Sequence, residues 1–374
     1  MILKVPDHIK SLIPYEPGKP IEELERELGI KNSIKLASNE NPIGPSHEAV
    51  KAIEKSLTNL HRYPDGSGFY LKEAIAEFFK LNPSNIIIGN GSNEIIELAV
   101  RTFLNPGDEI IMADQAFIVY RIVTQSVNCK GIIVPLKDFT HDLDKMSNAV
   151  TGKTRMIFIS NPNNPTGTAV GKKDVERFMN RIRGDIIVVF DEAYYEYVER
   201  DDFPYTIEYV RAGKNAIVLR TFSKIYGMAG LRIGYGFAKE ELVGYMNRVR
   251  QPFNTNSLAQ IGAIAALKDI NHLEKSREVN RKGKEYLYEE LKRLGIEYVP
   301  TEANFILIKT CSDPESSSGE SMKKGREVYN RLLKKGIIIR PLDGYKLPDY
   351  IRVTIGLPED NERFIEALKE VGDL

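Results

Sequence analysis

Lys224 stands in the stretch AIVLRTFSKIYGMAGLRIGYG, residues 216–236, where an apolar run hands the chain to a glycine-containing loop. β-branched residues followed by such a loop predict a buried strand, with the lysine just past its end. Lysine is ordinarily a solvated surface residue. This one has Thr221, Ser223 and Arg232 within eight positions and little negative charge beside it. Hydroxyls and a guanidinium fork suit a phosphate, and a partly desolvated amine suits attack on a carbonyl to give a Schiff base.

A lysine used this way needs a scaffold that brings complementary groups to it. Apolar strands are predicted at 86–88, 109–112, 131–135, 156–159, 186–190, 217–219 and 233–237, with helical stretches between most of them. Strands alternating with helices imply an α/β fold, a mostly parallel seven-stranded sheet between helices. Ligands bind such sheets at the carboxyl ends of the strands, so the polar residues that follow each strand should converge. After 86–88 come Gly91, Ser92 and Asn93, where a glycine turn opens a helix at 94–103 and offers N–H groups to an anion. After 156–159 comes SNPNNPTG, residues 160–167, which leaves Asn164 as a neutral donor. After 186–190 come Asp191 and Tyr194. Asp191 follows an apolar run and is expected to be buried, where a carboxylate needs a donor or a cation; a helix cap is the alternative.

The length of 374 residues is too great for one small core and implies a large and a smaller domain with a cleft between them. The expected division is an N-terminal arm at 1–35, a large domain at 36–268 and a small α+β domain at 269–374. Lys plus Arg equals Asp plus Glu at 52 each, so nothing points to nucleic acid or to an anionic membrane, and the expected partner is a small molecule. Cys129 and Cys311 fit neither a metal-ligand spacing nor a redox pair, so no metal is expected. The first fifteen residues carry charges and prolines through their apolar positions and do not read as a signal peptide or a membrane anchor; a cytoplasmic location is expected.

The arm contains Tyr15, either an aromatic anchor or a ligand contact, and is followed by the turn-rich loop with Asn39 and Asn41 and by HRYPDGSG with Tyr63. In the small domain Arg340 and Arg352 interrupt or end apolar strands at 337–340 and 350–354. They either form surface ion pairs or face the cleft and hold an anionic substrate.

Together the strand ends supply an anion cradle, a buried carboxylate, a phenol, an amide and a lysine. That set is complementary to the phosphate, ring nitrogen, phenolic oxygen and aldehyde of pyridoxal 5′-phosphate. A dinucleotide fits worse, because no GxGxxG follows the first strand.

The motifs TFSKIYGMAGLRIGY, NPNNPTG and DEAYYEY resemble those of the fold-type-I pyridoxal-phosphate aminotransferases. SNENPIGP, RYPDG, the Gly91-Ser92-Asn93-Glu94 turn and the ending RPL…IRVTIG are similar to the histidinol-phosphate aminotransferases. The resemblance implies that Lys224 forms the Schiff base and then carries the proton, that Asp191 binds the ring nitrogen, and that Tyr194 and Asn164 bind the phenolic oxygen. It implies Phe117 stacked on the ring, where many relatives have tyrosine. It further implies that Ser92, Asn93, Thr221, Ser223 and Arg232 hold the phosphate, with Tyr63 reaching it from the other subunit of a homodimer. Arg352 matches the arginine that grips a carboxylate, Arg340 and Tyr15 match positions near the substrate's phosphate, and Asn41 and Tyr120 are further substrate candidates.

The implied reaction is transamination between L-histidinol phosphate and 2-oxoglutarate, giving L-glutamate, in histidine biosynthesis. An aromatic aminotransferase or a threonine-phosphate decarboxylase on the same scaffold are the alternatives. A non-catalytic ligand-binding half of a transcription regulator is disfavoured by the neutral charge and the lack of an N-terminal helix-turn-helix stretch. The polar run at 311–321 looks like an insertion.

Overall fold

The computed structural model describes residues 3–310 and 324–371; Cys311 and the polar run 311–321 lie outside them. Its strands in chain order are β1 (Ile34–Lys35), β2 (Ile86–Gly89), β3 (Glu109–Ala113), β4 (Lys130–Val134), β5 (Thr154–Ser160), β6 (Ile187–Asp191), β7 (Ala216–Thr221), β8 (Gly234–Ala238), β9 (Tyr298–Val299), β10 (Phe305–Lys309), β11 (Ile337–Ile338), β12 (Arg340–Pro341) and β13 (Tyr350–Thr354).

Strands β2 to β8 form one sheet in the order β2-β8-β7-β6-β5-β3-β4. The pairs from β7 across to β4 are parallel, and β8 runs against both its neighbours. The reversal has a plain cause. A parallel return needs a crossover element, usually a whole helix, and the loop between β7 and β8 holds only the 3-10 turn Ala229–Leu231. The sheet is therefore mostly parallel, with one strand reversed beside the lysine loop.

Successive side chains point to opposite faces, and both faces are buried. β6 sends Val188 and Phe190 into one apolar layer and Ile187 and Val189 into the other; β7 divides Ala216 and Val218 from Ile217 and Leu219 in the same way. Each fully buried Val, Ile, Leu or Phe contributes about 1.5–3 kcal/mol. The strand ends are consequently the most firmly held backbone available for a site.

A second sheet, ordered β12-β13-β10-β9, is antiparallel and is backed by a separate core that includes Leu287, Ile306, Val353 and Phe364. The strand expected at 337–340 is divided: β11 pairs in parallel with β1, whereas β12 pairs with β13. Pro341 has no N–H for a ladder, and an edge strand is where that is tolerated. Leu24 of the helix Ile21–Leu28 packs on Ala37 and Ile338, and Leu36 accepts the Thr354 N–H at 2.8 Å. The segment after residue 33 is thus sewn to the C-terminal strands.

One buried ion cluster fixes the ends of β6 and β7. Arg220 of β7 is 1% exposed, pairs with Glu192 at 2.7 Å and lies 3.8 Å from Glu196, and its guanidinium sits 3.2 Å from the Tyr195 ring centre. Breaking such a cluster from one side leaves buried carboxylates without a counter-charge. Arg220→Met is therefore expected to lower the chemical unfolding free energy by roughly 3–5 kcal/mol. A loss under about 1 kcal/mol would show that the cluster does not hold the strand ends.

Candidate active site

A cavity of about 180 Å³ opens where the carboxyl ends of β5, β6 and β7 meet the second sheet. All of the residues singled out from the sequence line it except Asn41, Tyr63 and Tyr120.

At one end lies an anion cradle. The helix expected from residue 94 begins at Ser92, so Ser92 and Asn93 occupy its first turn, after Gly91 with φ 76°. No side chain caps this helix, which leaves its first N–H groups for a ligand. A Cβ on Gly91 would come within 2.3 Å of Arg232 Nη2, so glycine is required both for the backbone angle and for the arginine's approach. Arg232 Nη1 donates to Ser223 Oγ at 3.2 Å, and the Ser223 N–H donates to Thr221 Oγ1 at 3.1 Å. Backbone N–H groups, hydroxyls and a guanidinium converge on one point.

Lys224 sits between this cradle and the second sheet. Its Nζ donates to the Ser38 carbonyl at 3.0 Å. Its pKa is lowered to about 7, first by burial and then by Arg352 and Arg232, against the opposing pull of Glu40 and Asp191. Asp191 is buried, which raises its carboxyl, while donation from the Tyr120 hydroxyl (2.6 Å) and from the Ala193 N–H (3.2 Å) works in the opposite direction.

The two neutral donors are aimed from behind. Tyr194 Oη accepts from Asn39 Nδ2 at 2.9 Å, so its own hydrogen is free for the cavity; burial pushes this phenol up to about 12. Asn164 Oδ1 accepts from Arg352 Nη1 at 2.5 Å, which turns the amide NH₂ group the other way.

The far end is cationic and unneutralised. Arg352 is buried, donates to Asn164 and to the Ala37 carbonyl (2.7 Å), and leaves its Nε without a partner. Arg340 donates to the Glu16 carbonyl at 2.7 Å and lies 5.6 Å from the centre of the Tyr15 ring. Among the described residues neither guanidinium has a carboxylate partner, so the surface-ion-pair alternative does not hold for them. Tyr345, from the turn between β12 and β13, also lines this end.

Two expectations change. Tyr120 does not reach the cavity: it is fully buried, and its hydroxyl serves Asp191. Asn41 does not line the cavity either: its amide donates to the Ile225 carbonyl (2.6 Å) and Ser276 Oγ (2.9 Å), tying the loop to a helix. Tyr63 is 82% exposed, stacks on Phe253 at 4.7 Å and lies away from the cavity of its own chain; the expectation for it concerns the other subunit of a dimer and stands unchanged. Ser38 and Tyr345 carry no sequence signal, and Asn39 is marked there only as part of a turn-rich loop. The Asn-Glu-Asn run alone cannot say which amide meets Tyr194, and no sequence pattern marks Tyr345.

Comparison with known proteins bears on the family and the fold. The family described as aminotransferase class I and II matches residues 31–368. A histidinol-phosphate aminotransferase of Moorella thermoacetica is 49% identical over 369 residues, covering 98% of this chain and 93% of that protein. One from Caldicellulosiruptor saccharolyticus is 47% identical over 363 residues, covering 97% and 98%. Among solved structures, the histidinol-phosphate aminotransferase of Sinorhizobium meliloti in complex with pyridoxal-5′-phosphate superposes with a TM-score of 0.87 at 26% identity, covering 99% of this chain and 98% of that one.

The lowered lysine has a direct test. Below about pH 7 Lys224 is protonated in folded and unfolded chains alike; above it the folded chain has lost a proton that the unfolded chain keeps to about 10.5. The contribution of Lys224 to stability therefore rises with pH across that window. Competitive acylation of the ligand-free chain, read by mass spectrometry, is expected to give Lys224 a midpoint near 7 in the folded chain and near 10.5 in the unfolded chain. A midpoint above pH 10 for Lys224 would remove the basis for nucleophilic or acid–base work at neutral pH.

Proposed function

The chain belongs to the class I and II aminotransferases and, among them, to the histidinol-phosphate aminotransferases, and from that premise we propose that it exchanges an amino group between L-histidinol phosphate and 2-oxoglutarate, forming L-glutamate in histidine biosynthesis. The observation that carries the reading is the placing of a depressed lysine between an anion cradle and two guanidinium groups that have no carboxylate partner among the described residues.

We infer that the cofactor is pyridoxal 5′-phosphate. The donor set fits it: the uncapped start of the helix Ser92–Phe103, with Arg232 pressed against Gly91, suits the phosphate, and buried Asp191 suits the ring nitrogen. Tyr194 and Asn164 present donors to the phenolic oxygen, Phe117 lines the cavity as a flat apolar wall, and Lys224 is the amine for the aldehyde. When bound, the cofactor supplies a carbonyl for the amino group and an aromatic system that withdraws electrons from the adjoining carbon.

The remaining work belongs to side chains. Lys224, with a pKa of about 7, takes a proton from the substrate carbon and returns it on the other side of the exchange. Tyr194 and Asn164 donate without taking a proton, because one oxygen is already occupied by Asn39 and the other by Arg352. Arg352 and Arg340, with Tyr15 beside them, bind the distal anion. That anion is a phosphate in one half-reaction and a carboxylate in the other, and a guanidinium fork accepts both.

The active unit is a homodimer in this reading. Leu60, Tyr63, Phe69 and Tyr70, within one stretch of eleven residues, are each 55–82% exposed, and such a concentration of large exposed apolar side chains suits an interface. Tyr63 then serves the cradle of the partner chain. The arm at 1–35 and the division at 268/269 are part of the same proposal; the separate cores behind the two sheets support it, and the helix Ile270–Arg293 contributes Leu273 to one and Leu287 to the other. The location that suits a biosynthetic aminotransferase drawing on 2-oxoglutarate is the cytoplasm.

Glutamate formed from histidinol phosphate and 2-oxoglutarate in a coupled assay is the expected result; a faster reaction with aromatic amino acids, or release of carbon dioxide from threonine phosphate, would move the substrate assignment to those alternatives. Arg340→Gln is expected to raise KM for histidinol phosphate about 10- to 100-fold, the worth of a hydrogen bond between charged groups, with a much smaller change for phenylalanine. For the shared site, mixing Tyr63→Ala chains with Lys224→Ala chains should restore activity that neither homodimer has, because one cradle in each hybrid is intact. No recovery despite proven subunit exchange counts against the role of Tyr63.

A further inference from the structure

We infer that Tyr120 is a positioning residue for Asp191: its hydroxyl fixes one carboxylate oxygen so that the carboxyl group meets the cofactor's ring nitrogen in a single orientation. The inference rests on the cofactor reading above and assigns to this tyrosine a task that neither substrate binding nor simple packing would require.

The geometry is over-determined. Tyr120 lies in the first turn of the helix Val119–Ser126 and is completely buried, one layer behind Phe117, which faces the cavity. Its ring is stacked on Phe158 of β5 with centres 4.5 Å apart and planes 3° from parallel, and it meets Phe117 edge-on at 5.7 Å and 89°. The turn is itself tied, since Thr124 Oγ1 donates to the Tyr120 carbonyl at 2.6 Å. A ring held between two others cannot swing, so its hydroxyl oxygen is fixed beside Asp191, with Ser160 also in reach. It donates to Asp191 Oδ2 at 2.6 Å.

Asp191 is anchored from the other side as well. It is the last residue of β6, and its Oδ1 receives the Ala193 N–H at 3.2 Å. Each carboxylate oxygen accepts more than one hydrogen bond, so both anchors can persist while the group faces the cavity. A phenol that donates to a carboxylate also favours the ionised form against the effect of burial. Packing alone would be served as well by phenylalanine, because a buried hydroxyl adds a polar group that must then be satisfied.

Tyr120→Phe keeps both ring contacts and deletes the donor. The test measures dissociation constants of the cofactor-free wild type and variant for pyridoxal 5′-phosphate and for its 1-deaza analogue, in which C–H replaces the ring nitrogen. The variant is expected to bind pyridoxal 5′-phosphate about tenfold or more weakly, as for loss of a hydrogen bond to a charged group, and to bind the deaza compound nearly as the wild type does. An equal loss for both compounds overturns the inference, because it would mean that the hydroxyl supports the cavity and not the carboxylate. Phe158→Leu, which loosens the ring and leaves the hydroxyl, provides a second measure should the first variant be unstable. A smaller loss confined to the nitrogen-containing compound supports the inference, and an equal loss for both again overturns it. A wild type that binds neither compound, and gives no borohydride-fixed adduct on Lys224, overturns the cofactor reading itself.

Discussion

A guanidinium buried with no carboxylate partner among the described residues is the constraint on which this site depends. Arg352 is 6% exposed, and among the described residues its donors meet only neutral oxygens while its Nε has no partner. Such an arrangement is costly in a folded chain, and here its field falls on Lys224. After burial itself, Arg352 is the largest cause of that lysine's low pKa, and Arg232 at the opposite end adds to it. The lysine is thereby held near neutrality, where it can act both as nucleophile and as proton carrier. An anion that arrives at either guanidinium cancels part of the field, so ligand binding and the basicity of Lys224 are linked by charge alone.

The second sheet aims the chemistry of the first. Arg352 and Thr354 are two residues apart on β13 and so share a face. Arg352 orients Asn164, while Thr354 Oγ1 accepts the Asn39 N–H at 2.9 Å and donates to Asn39 Oδ1 at 3.2 Å, and Asn39 in turn donates to Tyr194. Asn39 has φ 55°, a left-handed conformation that asparagine tolerates better than most residues. Both neutral donors at the ends of β5 and β6 are therefore set by one strand from the far side of the cavity. Gly227 completes the fit, because a Cβ there would lie 2.1 Å from the Gly44 carbonyl oxygen, and only glycine lets the lysine loop close on the segment that carries Asn39.

What could be read from the sequence follows from how local each signal is. The strands of the large sheet announce themselves by apolar runs, and the rule that ligands gather at their carboxyl ends is enough to bring Ser92, Asn164, Asp191 and Lys224 together. The reversal of β8 is not written in its own residues; it follows from the absence of a helix in the loop before it. Tyr120 and Asn41 were expected at the substrate because type and neighbourhood are visible in a sequence, whereas the direction of a side chain is not. Tyr120 is turned inward by its stack on Phe158, and Asn41 by Ser276, a residue 235 positions away. The Arg220 cluster escaped notice for the same reason: its partners look like ordinary surface acids until the fold encloses them.

The two ends of the cavity differ in how they are built, and the difference matches their tasks. The lysine end stands on strands buried on both faces and on a helix start where Arg232 packs so closely on Gly91 that no Cβ would fit. The anion end is partly walled by the arm, whose Tyr15 is 49% exposed, and which is held by Arg340 donating to the Glu16 carbonyl and by Gln125 Nε2 donating to the His8 carbonyl at 2.9 Å. Segments with few buried apolar contacts open at low cost. A rigid lysine end keeps donors and acceptor in register, while the lightly held wall can adjust to a tetrahedral phosphate or a planar carboxylate beside the same guanidinium groups. In the proposed reaction, selectivity at that end would accordingly come from charge and from how many N–H donors the anion can engage, more than from a fixed shape.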